Sequence, residues 1–452
     1  MNIRSYKKHI ETQDREHLWH PFTQMQEWMA ESPLIITEGR GSFLKDIFGR
    51  WYIDGVSSIW VTVHGHRKKK IDDAIKDQID RISHSTLLGL TNPPAASLAG
   101  MLVKITPGGL SRVFYSDNGS TAVEIALKMA FQYWQHKGEK DRTKFVCLTN
   151  AYHGDTIGAV SVGGIELFHS LFAPLLFASY RVPSPYCYRC ELGKKYPSCR
   201  LYCLMKAEKI IKKHNREIAA LIIEPLVQGA GGMITSPPGY LKGMKRLCAR
   251  YNILMIADEV ATGFGRTGNM FACEHEQVRP DILCLAKGIT GGYLPLAATI
   301  ATEKIYRAFL GHYRDVMTFF HGHTYTGNQL ACAAAIASLQ VFKKERTLQK
   351  MQGRIELLKK ELAPLSNYTN VGDIRQKGFM VGIELVKNKK TGKPYPPEEK
   401  MAWQVCYRAR DKGLIIRPLG NVIVLMPPLS ISRHELKRLT RIVAEAIKEV
   451  TA

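Results

Sequence analysis

The stretch ILMIADEVATGFGRTG, residues 253 to 268, opens as a short apolar run and breaks into a polar, glycine-rich turn. DILCLAKGITGG, residues 281 to 292, repeats that design. The first break delivers a carboxylate pair, Asp258 and Glu259, and the second delivers Lys287. Apolar runs of this length read as buried parallel strands. In open α/β sheets, chemistry collects just beyond the carboxyl ends of such strands.

An acid and a lysine emerging together suit pyridoxal phosphate. The lysine holds the aldehyde as a Schiff base, and the acid keeps the pyridine nitrogen protonated so that the ring accepts electrons. Taken singly, each residue has a plainer reading. A strand-end aspartate is often a helix cap, and a strand-end lysine a solvated charge.

Working outward, apolar strands alternate with helical patterns between residues 66 and 330, as in RVFYSD, STAVEIALKMAFQYWQ and KFVCLTN. This rhythm predicts an α/β fold with a mostly parallel sheet and right-handed crossovers. Residues 1 to 65 are mixed, with a hairpin expected at FLKDIFGRWYIDG. After 331 one long helix is expected, AACAAAIASLQVFKKERTLQKMQGRIELLKKEL, followed by short strands around GFMVGIELV and VIVLMPP. The segments 1–65 and 331–452 are expected to pack together as a small α+β domain beside a large domain spanning 66–330.

Composition sets outer limits. The chain has 452 residues, 45% of them hydrophobic and 23% charged, enough for a large core in two or three domains. No apolar run reaches the length of a membrane span, and the N-terminus MNIRSYKKHIETQDREHLWH lacks the apolar core of a secretion signal. The cell interior is the expected location, with no membrane partner. Net charge is +23, but the basic residues are dispersed, with short clusters at 67 to 70 and near 386 to 393. No basic stripe is interleaved with stacking aromatics, so anionic ligands and solvated faces are expected rather than nucleic acid.

Among 10 cysteines, Cys187, Cys190, Cys199 and Cys203 fall within PYCYRCELGKKYPSCRLYC, spaced C-x2-C-x8-C-x3-C. Two close pairs in a short loop form a zinc pattern; free thiols and adventitious disulfides are the alternatives. In either case the loop reads as a surface staple, and no catalytic metal is expected.

Several further motifs can carry chemistry. SDNGSTAVEIALKMA places Gly119 and Ser120 where a strand turns into a helix, so that amides and a hydroxyl can hold a phosphate; a simple helix cap is the alternative. AYHGDTIGAVSVGG sets Tyr152 and His153 at a strand end, where they can stack on a flat ring, with Asp155 as an orienting partner. Glu224 in IIEPLVQGAGG is a buried carboxylate in need of a partner, such as Gln228 or an arginine. Thr324 in HGHTYTGNQLA is a second phosphate candidate. Arg417, between two apolar segments, suits bidentate capture of a carboxylate, or a structural ion pair.

Together, HLWHPFTQM, DGVSSIWVTVHGH, YSDNGSTAVEIALKMAFQYW, YHGDTIGAVSVG, IIEPLVQGAGGM, ADEVATGFGRTG, LAKGITGG and FHGHTYTGNQLACAAA resemble one enzyme group. It is the class III pyridoxal-phosphate aminotransferases, and within them the 7,8-diaminopelargonate synthase family of biotin biosynthesis. The likeness runs from about residue 17 to the C-terminus. It implies an aspartate-aminotransferase-like fold and a homodimer with shared active sites.

It also implies roles. Lys287 would attach the cofactor and shuttle the proton, Asp258 would pair with the pyridinium nitrogen, and Tyr152 would lie beside the ring. Gly119 and Ser120 would take the phosphate, with Thr324, beside His323, reaching it from the partner subunit. Ile59, Trp60, Gly322 and Arg417 would form the substrate pocket, Arg417 binding the carboxylate of 8-amino-7-oxononanoate. Phe22 and Ile59 stand where adenosylmethionine-using members have tyrosine and tryptophan. They point to L-lysine as amino donor ahead of S-adenosyl-L-methionine. His323 stands where proline is common in the family. The rival readings are another class III ω-amino acid aminotransferase and a zinc-ribbon nucleic-acid binder.

Overall fold

The computed structural model describes residues 2–452. Its centre is a seven-stranded sheet in the spatial order 110–116, 297–302, 282–285, 254–258, 218–223, 144–148 and 180–182. Ala297–Thr302 runs antiparallel to both of its neighbours, and the remaining pairings are parallel. The sheet is therefore mostly parallel, with one reversed strand directly after the Lys287 turn.

Both faces of this sheet are covered, which is why its strands read as unbroken apolar runs. Every residue of Ile218–Ile223, Leu254–Asp258 and Ile282–Leu285 is buried. Successive side chains point to opposite faces. Leu254 and Ile256 join a core with Ala122, Ala126 and Ala130 of the helix Gly119–His136. Met255 and Ala257 join a larger core with Tyr240, Met244 and Leu247 of the helix Tyr240–Arg250.

The hairpin expected near the N-terminus forms as Phe43–Asp46 and Trp51–Asp54, with Ile36–Arg40 added at its edge. Trp51–Asp54 also pairs in parallel with Leu414–Ile415, so the two ends of the chain share one sheet. A second C-terminal sheet orders Val371–Lys377, Met380–Asn388, Val422–Leu425 and Arg417–Leu419 in antiparallel fashion.

The single long helix expected after 331 is instead two, Gln329–Lys344 and Thr347–Leu362. Arg346 between them has φ 52, a left-handed conformation that reverses the chain without glycine or proline. Local propensity carries no signal for such a break. Packing overrides it, because the first helix buries against Lys69–Ile79 and Pro93–Ile105 while the second packs on the C-terminal helix Arg433–Thr451.

Candidate active site

Strand register brings the acid and the lysine together. Asp258 is paired with Cys284, so Asp258 and Lys287 leave neighbouring parallel strands at the same end of the sheet. Both line a cavity of about 490 Å³, with Gly119, Ser120, Tyr152, His153, Glu224 and Trp60 among its other walls.

The carboxylate pair divides. Asp258 and Glu259 are consecutive, so one faces the cavity and the other the protein interior. Glu259 is fully buried and accepts hydrogen bonds from the Ala272 and Cys273 amides, each at 2.8 Å, and from Thr262 Oγ1 at 2.9 Å. It anchors the loop after the strand and takes no part in the cavity.

Asp258 is held from two sides. Its Oδ2 lies 2.7 Å from His153 Nδ1, and its Oδ1 accepts from the Val260 amide at 3.1 Å. His153 is buried, and among the described residues its Nε2 is unpartnered and the ring's one hydrogen bond is with Asp258. Lys287 sits at φ 45 in the turn Lys287–Thr290, with Nζ 5.2 Å from the centre of the Trp60 ring. Desolvation pushes its ammonium pKa down, partly opposed by the negative charge of Asp258 and then Glu224.

Asn118 starts the helix Gly119–His136 with a capping box: its side chain accepts from the Thr121 amide at 3.1 Å. Gly119 and Ser120, in its first turn, line the cavity, and a helix N-terminus favours an anion there. Gly119 is required there, since a Cβ would meet Val260 Cγ1 at 2.7 Å. Gly154, at φ +122, has a Cβ position only 2.0 Å from Ser120 Oγ, so the next loop closes directly on the phosphate corner. The Asp155 amide donates to Ser120 Oγ at 3.1 Å, and Tyr152 donates its hydroxyl to Asp155 Oδ2 at 2.7 Å.

Glu224, the buried carboxylate in search of a partner, takes two backbone donors. Oε2 accepts from the Tyr152 amide at 3.0 Å and Oε1 from the Gly229 amide at 2.8 Å. Gln228 instead donates to the Thr149 carbonyl at 2.8 Å. Burial pushes the Glu224 carboxyl up to about 7.

Trp60 reaches the cavity from an unusual backbone. Ser57, Ser58, Ile59 and Trp60 have φ of 51, 48, 65 and 71, a left-handed turn that costs about 1–2 kcal/mol per residue. Asp54 holds it, accepting from the Ser58 amide and hydroxyl, each at 2.9 Å. Arg266 holds it from beneath, donating to Thr62 O at 3.1 Å, Ser57 Oγ at 3.2 Å and Pro427 O at 2.9 Å. Arg266 is only 1% exposed, and burial lowers its pKa to about 9. The sequence signal for Arg266 was its place in GFGRTG, but nothing there told that its partners are carbonyls 204 and 161 residues away in the chain.

Six residues singled out from the sequence for the cofactor or substrate pocket lie off this cavity. Ile59 is 47% exposed because the left-handed turn directs it outward. Gly322, His323 and Thr324 belong to a strap, where His323 Nδ1 lies 3.6 Å from Asp117 and the Thr324 carbonyl 3.0 Å from His84 Nε2. The Arg417 guanidinium lies over the Trp403 ring, 5.8 Å from its centre. Phe22 is 57% exposed and meets Phe168 edge-on.

These residues fit pyridoxal phosphate: a lysine without a hydrogen-bond partner among the described residues, a buried carboxylate opposite, and a glycine-floored helix N-terminus for a phosphate. Comparison with known proteins agrees. Residues 24–447 match the family model for class III aminotransferases. The chain is 55% identical over 439 residues to the adenosylmethionine-8-amino-7-oxononanoate aminotransferase of Geobacter sulfurreducens, covering 97% of each chain. It is 50% identical over 454 residues to the enzyme of that name from Methanocaldococcus jannaschii, covering 98% of each. A crystal structure of the latter enzyme superposes with a TM-score of 0.94 at 49% identity, over 98% of this chain and 99% of that one. An (S)-enantioselective omega-transaminase from Thermomicrobium roseum gives 0.93 at 34% identity, over 98% of each chain.

Proposed function

Since the chain belongs to the class III aminotransferases, a pyridoxal-phosphate-dependent family, we propose that it aminates the ketone of 8-amino-7-oxononanoate to give 7,8-diaminononanoate, with adenosylmethionine as donor. The observation that carries the chemistry is the emergence of Asp258 and Lys287 from adjacent strands into one cavity. The names of relatives sharing about half of its residues carry the choice of substrate and donor.

When bound, pyridoxal phosphate supplies an aldehyde for amine capture and a ring that withdraws electrons. The chain's own groups do the rest. The helix start at Gly119 and Ser120 binds the phosphate. Asp258, oriented by His153, presents a negative oxygen to the ring nitrogen and keeps a proton there. Lys287, whose ammonium form is disfavoured by burial, is the base placed to take the proton from the carbon next to nitrogen and return it. Trp60 covers the cavity beside Lys287 and narrows access for water. Arg417 is the proposed partner of the ketone's carboxylate, and Ile59 and Gly322 the proposed rim of the substrate pocket.

Lysine is the second donor reading, favoured by Phe22 and Ile59. Mixing cofactor-loaded enzyme with each amine alone separates the two. Adenosylmethionine should bleach the visible cofactor band, and bleaching by lysine alone would reverse the assignment. An ω-amino acid substrate would show instead as reoxidation of the aminated enzyme by pyruvate or 2-oxoglutarate rather than by 8-amino-7-oxononanoate.

A homodimer completes the proposal. Gly322, His323 and Thr324 lie off the cavity of their own chain, in a strap that meets His84 and includes the exposed Phe320. Thr324 then serves the phosphate of the partner copy. Mixing inactive Lys287→Ala and Thr324→Ala chains should restore part of the activity if the site is shared. We place the enzyme in the cytoplasm; among the described residues no helix is long and apolar enough to cross a membrane.

A further inference from the structure

The cysteine-rich segment stands apart from the catalytic cavity. Between Tyr180–Val182 and the helix Tyr202–His214 the chain runs from 183 to 201 without a helix or strand. Loops beyond about 15 residues without regular structure are uncommon in compact domains and call for a separate source of order. Little apolar burial is available here: residues 193 to 198 are all exposed.

What the loop does have is convergence. Cys187, Cys190, Cys199 and Cys203 all line one small cavity of about 20 Å³, room for a single water-sized occupant. Tyr186, Tyr196 and Tyr202 wall it, and Lys194 adds a positive charge. In sequence, Lys195 precedes the second pair and Arg200 lies within it. A cationic surround suits a cluster of thiolates, which carries net negative charge once a divalent ion is bound. All ten cysteines are free thiols in this structure.

We propose that Cys187, Cys190, Cys199 and Cys203 bind one zinc ion as a structural four-thiolate site. The pairs C-x2-C and C-x3-C have the spacing at which one turn presents two sulfurs to one metal. Four soft ligands without an open position select zinc in a closed tetrahedral site. Among the described residues no three donors already surround one point, so binding draws the two pairs together across the cavity.

The loop is well placed to act as a clamp. Tyr186 and Arg189 donate to Glu384, a buried carboxylate of the C-terminal sheet that also binds Arg375. Glu191 accepts from Thr149 Oγ1 at 2.8 Å and from the Ser184 amide at 2.9 Å. Thr149 directly follows the strand Lys144–Leu148, on the way to Tyr152. Metal in the loop therefore ties the C-terminal sheet to the wall of the active cavity.

The test is metal analysis of the whole cofactor-loaded chain, grown with zinc and freed of loosely bound ions. One zinc per chain is expected, released as an organomercurial caps the four ligand thiolates. The Cys190→Ser, Cys199→Ser double variant should lose the zinc. If that variant does not fold, cobalt exchange into the unaltered chain decides, and tetrahedral thiolate absorption bands are expected. Absence of stoichiometric zinc with four freely reactive thiols overturns the proposal. So do iron in its place, disulfides at these positions, or zinc retained by a folded double variant.

Discussion

His153 Nδ1 lies 2.7 Å from Asp258 Oδ2, with both side chains buried. The histidine side chain makes no other hydrogen bond among the described residues, so its purpose in this fold is to orient that carboxylate. A hydrogen bond to a charged group is worth about 1.5–3 kcal/mol. His153→Leu should therefore lower kcat by about ten- to a hundredfold, with the cofactor still bound. Asp258→Asn, which removes the charge itself, should cost more. Steady-state kinetics on the two variants check this, and a His153→Leu enzyme with unchanged kcat would remove the positioning role.

Gly119 and Val260 make a second testable pair. An added Cβ at 119 would stand 2.7 Å from Val260 Cγ1, and the Val260 amide is one of the donors to Asp258. Overpacking of this kind costs about 1–3 kcal/mol. Gly119→Ala should raise the cofactor Kd by about tenfold or more, and adding Val260→Ala should recover most of the loss. Equilibrium titration of the apo-protein with pyridoxal phosphate measures both. Failure of the second change to rescue the first would show that the clash is not the cause.

Glu224 predicts a pH dependence of stability. Burial raises its pKa from 4.5 to about 7, so between those values the folded state keeps a proton that the unfolded chain has released. Stability from this group is therefore present below the unfolded value and falls as pH rises toward 7. The slope is at most about 1.4 kcal/mol per pH unit. Glu259, also raised to about 7, adds a term of the same sign. Glu224→Gln should flatten the decline without abolishing it. Urea unfolding of apo-protein across this window tests the point, and parallel curves for the two proteins would contradict it.

Arg266 is expected to matter for stability as well as for shape. Removing its side chain strands Thr62 O and Pro427 O around a void beneath the left-handed turn, while Ser57 Oγ keeps only its bond to Met426 O. Each stranded buried group costs about 1–3 kcal/mol. Arg266→Leu should lose about 3 kcal/mol or more in denaturant unfolding, and the Trp60 fluorescence environment should change with it. A variant with unaltered stability would show that the turn holds itself.

The chemical core of the site was legible because it rests on strand ends. IADE and LAKG each join a buried run to a turn, and parallel pairing then sets Asp258 beside the lysine's strand. The cap at Asn118 and the glycine after it were legible for the same local reason. What escaped is non-local. The turn at 57–60 is left-handed because Asp54 and Arg266 hold it so, and no propensity marks four such residues in a row. Glu259 looked equivalent to Asp258 until strand alternation sent it to the other side. The bend at Arg346 is imposed by packing on two different surfaces. Arg417 and the strap at 322–324 were named for roles that one chain alone does not display.

The central claim is that Lys287 carries the cofactor. Borohydride reduction of the holoenzyme followed by peptide mass spectrometry tests it most directly. The account predicts a coenzyme-derived mass increment on the peptide containing Lys287, and its disappearance, with all turnover, in Lys287→Ala. An increment on another lysine, or none on any peptide, would contradict it.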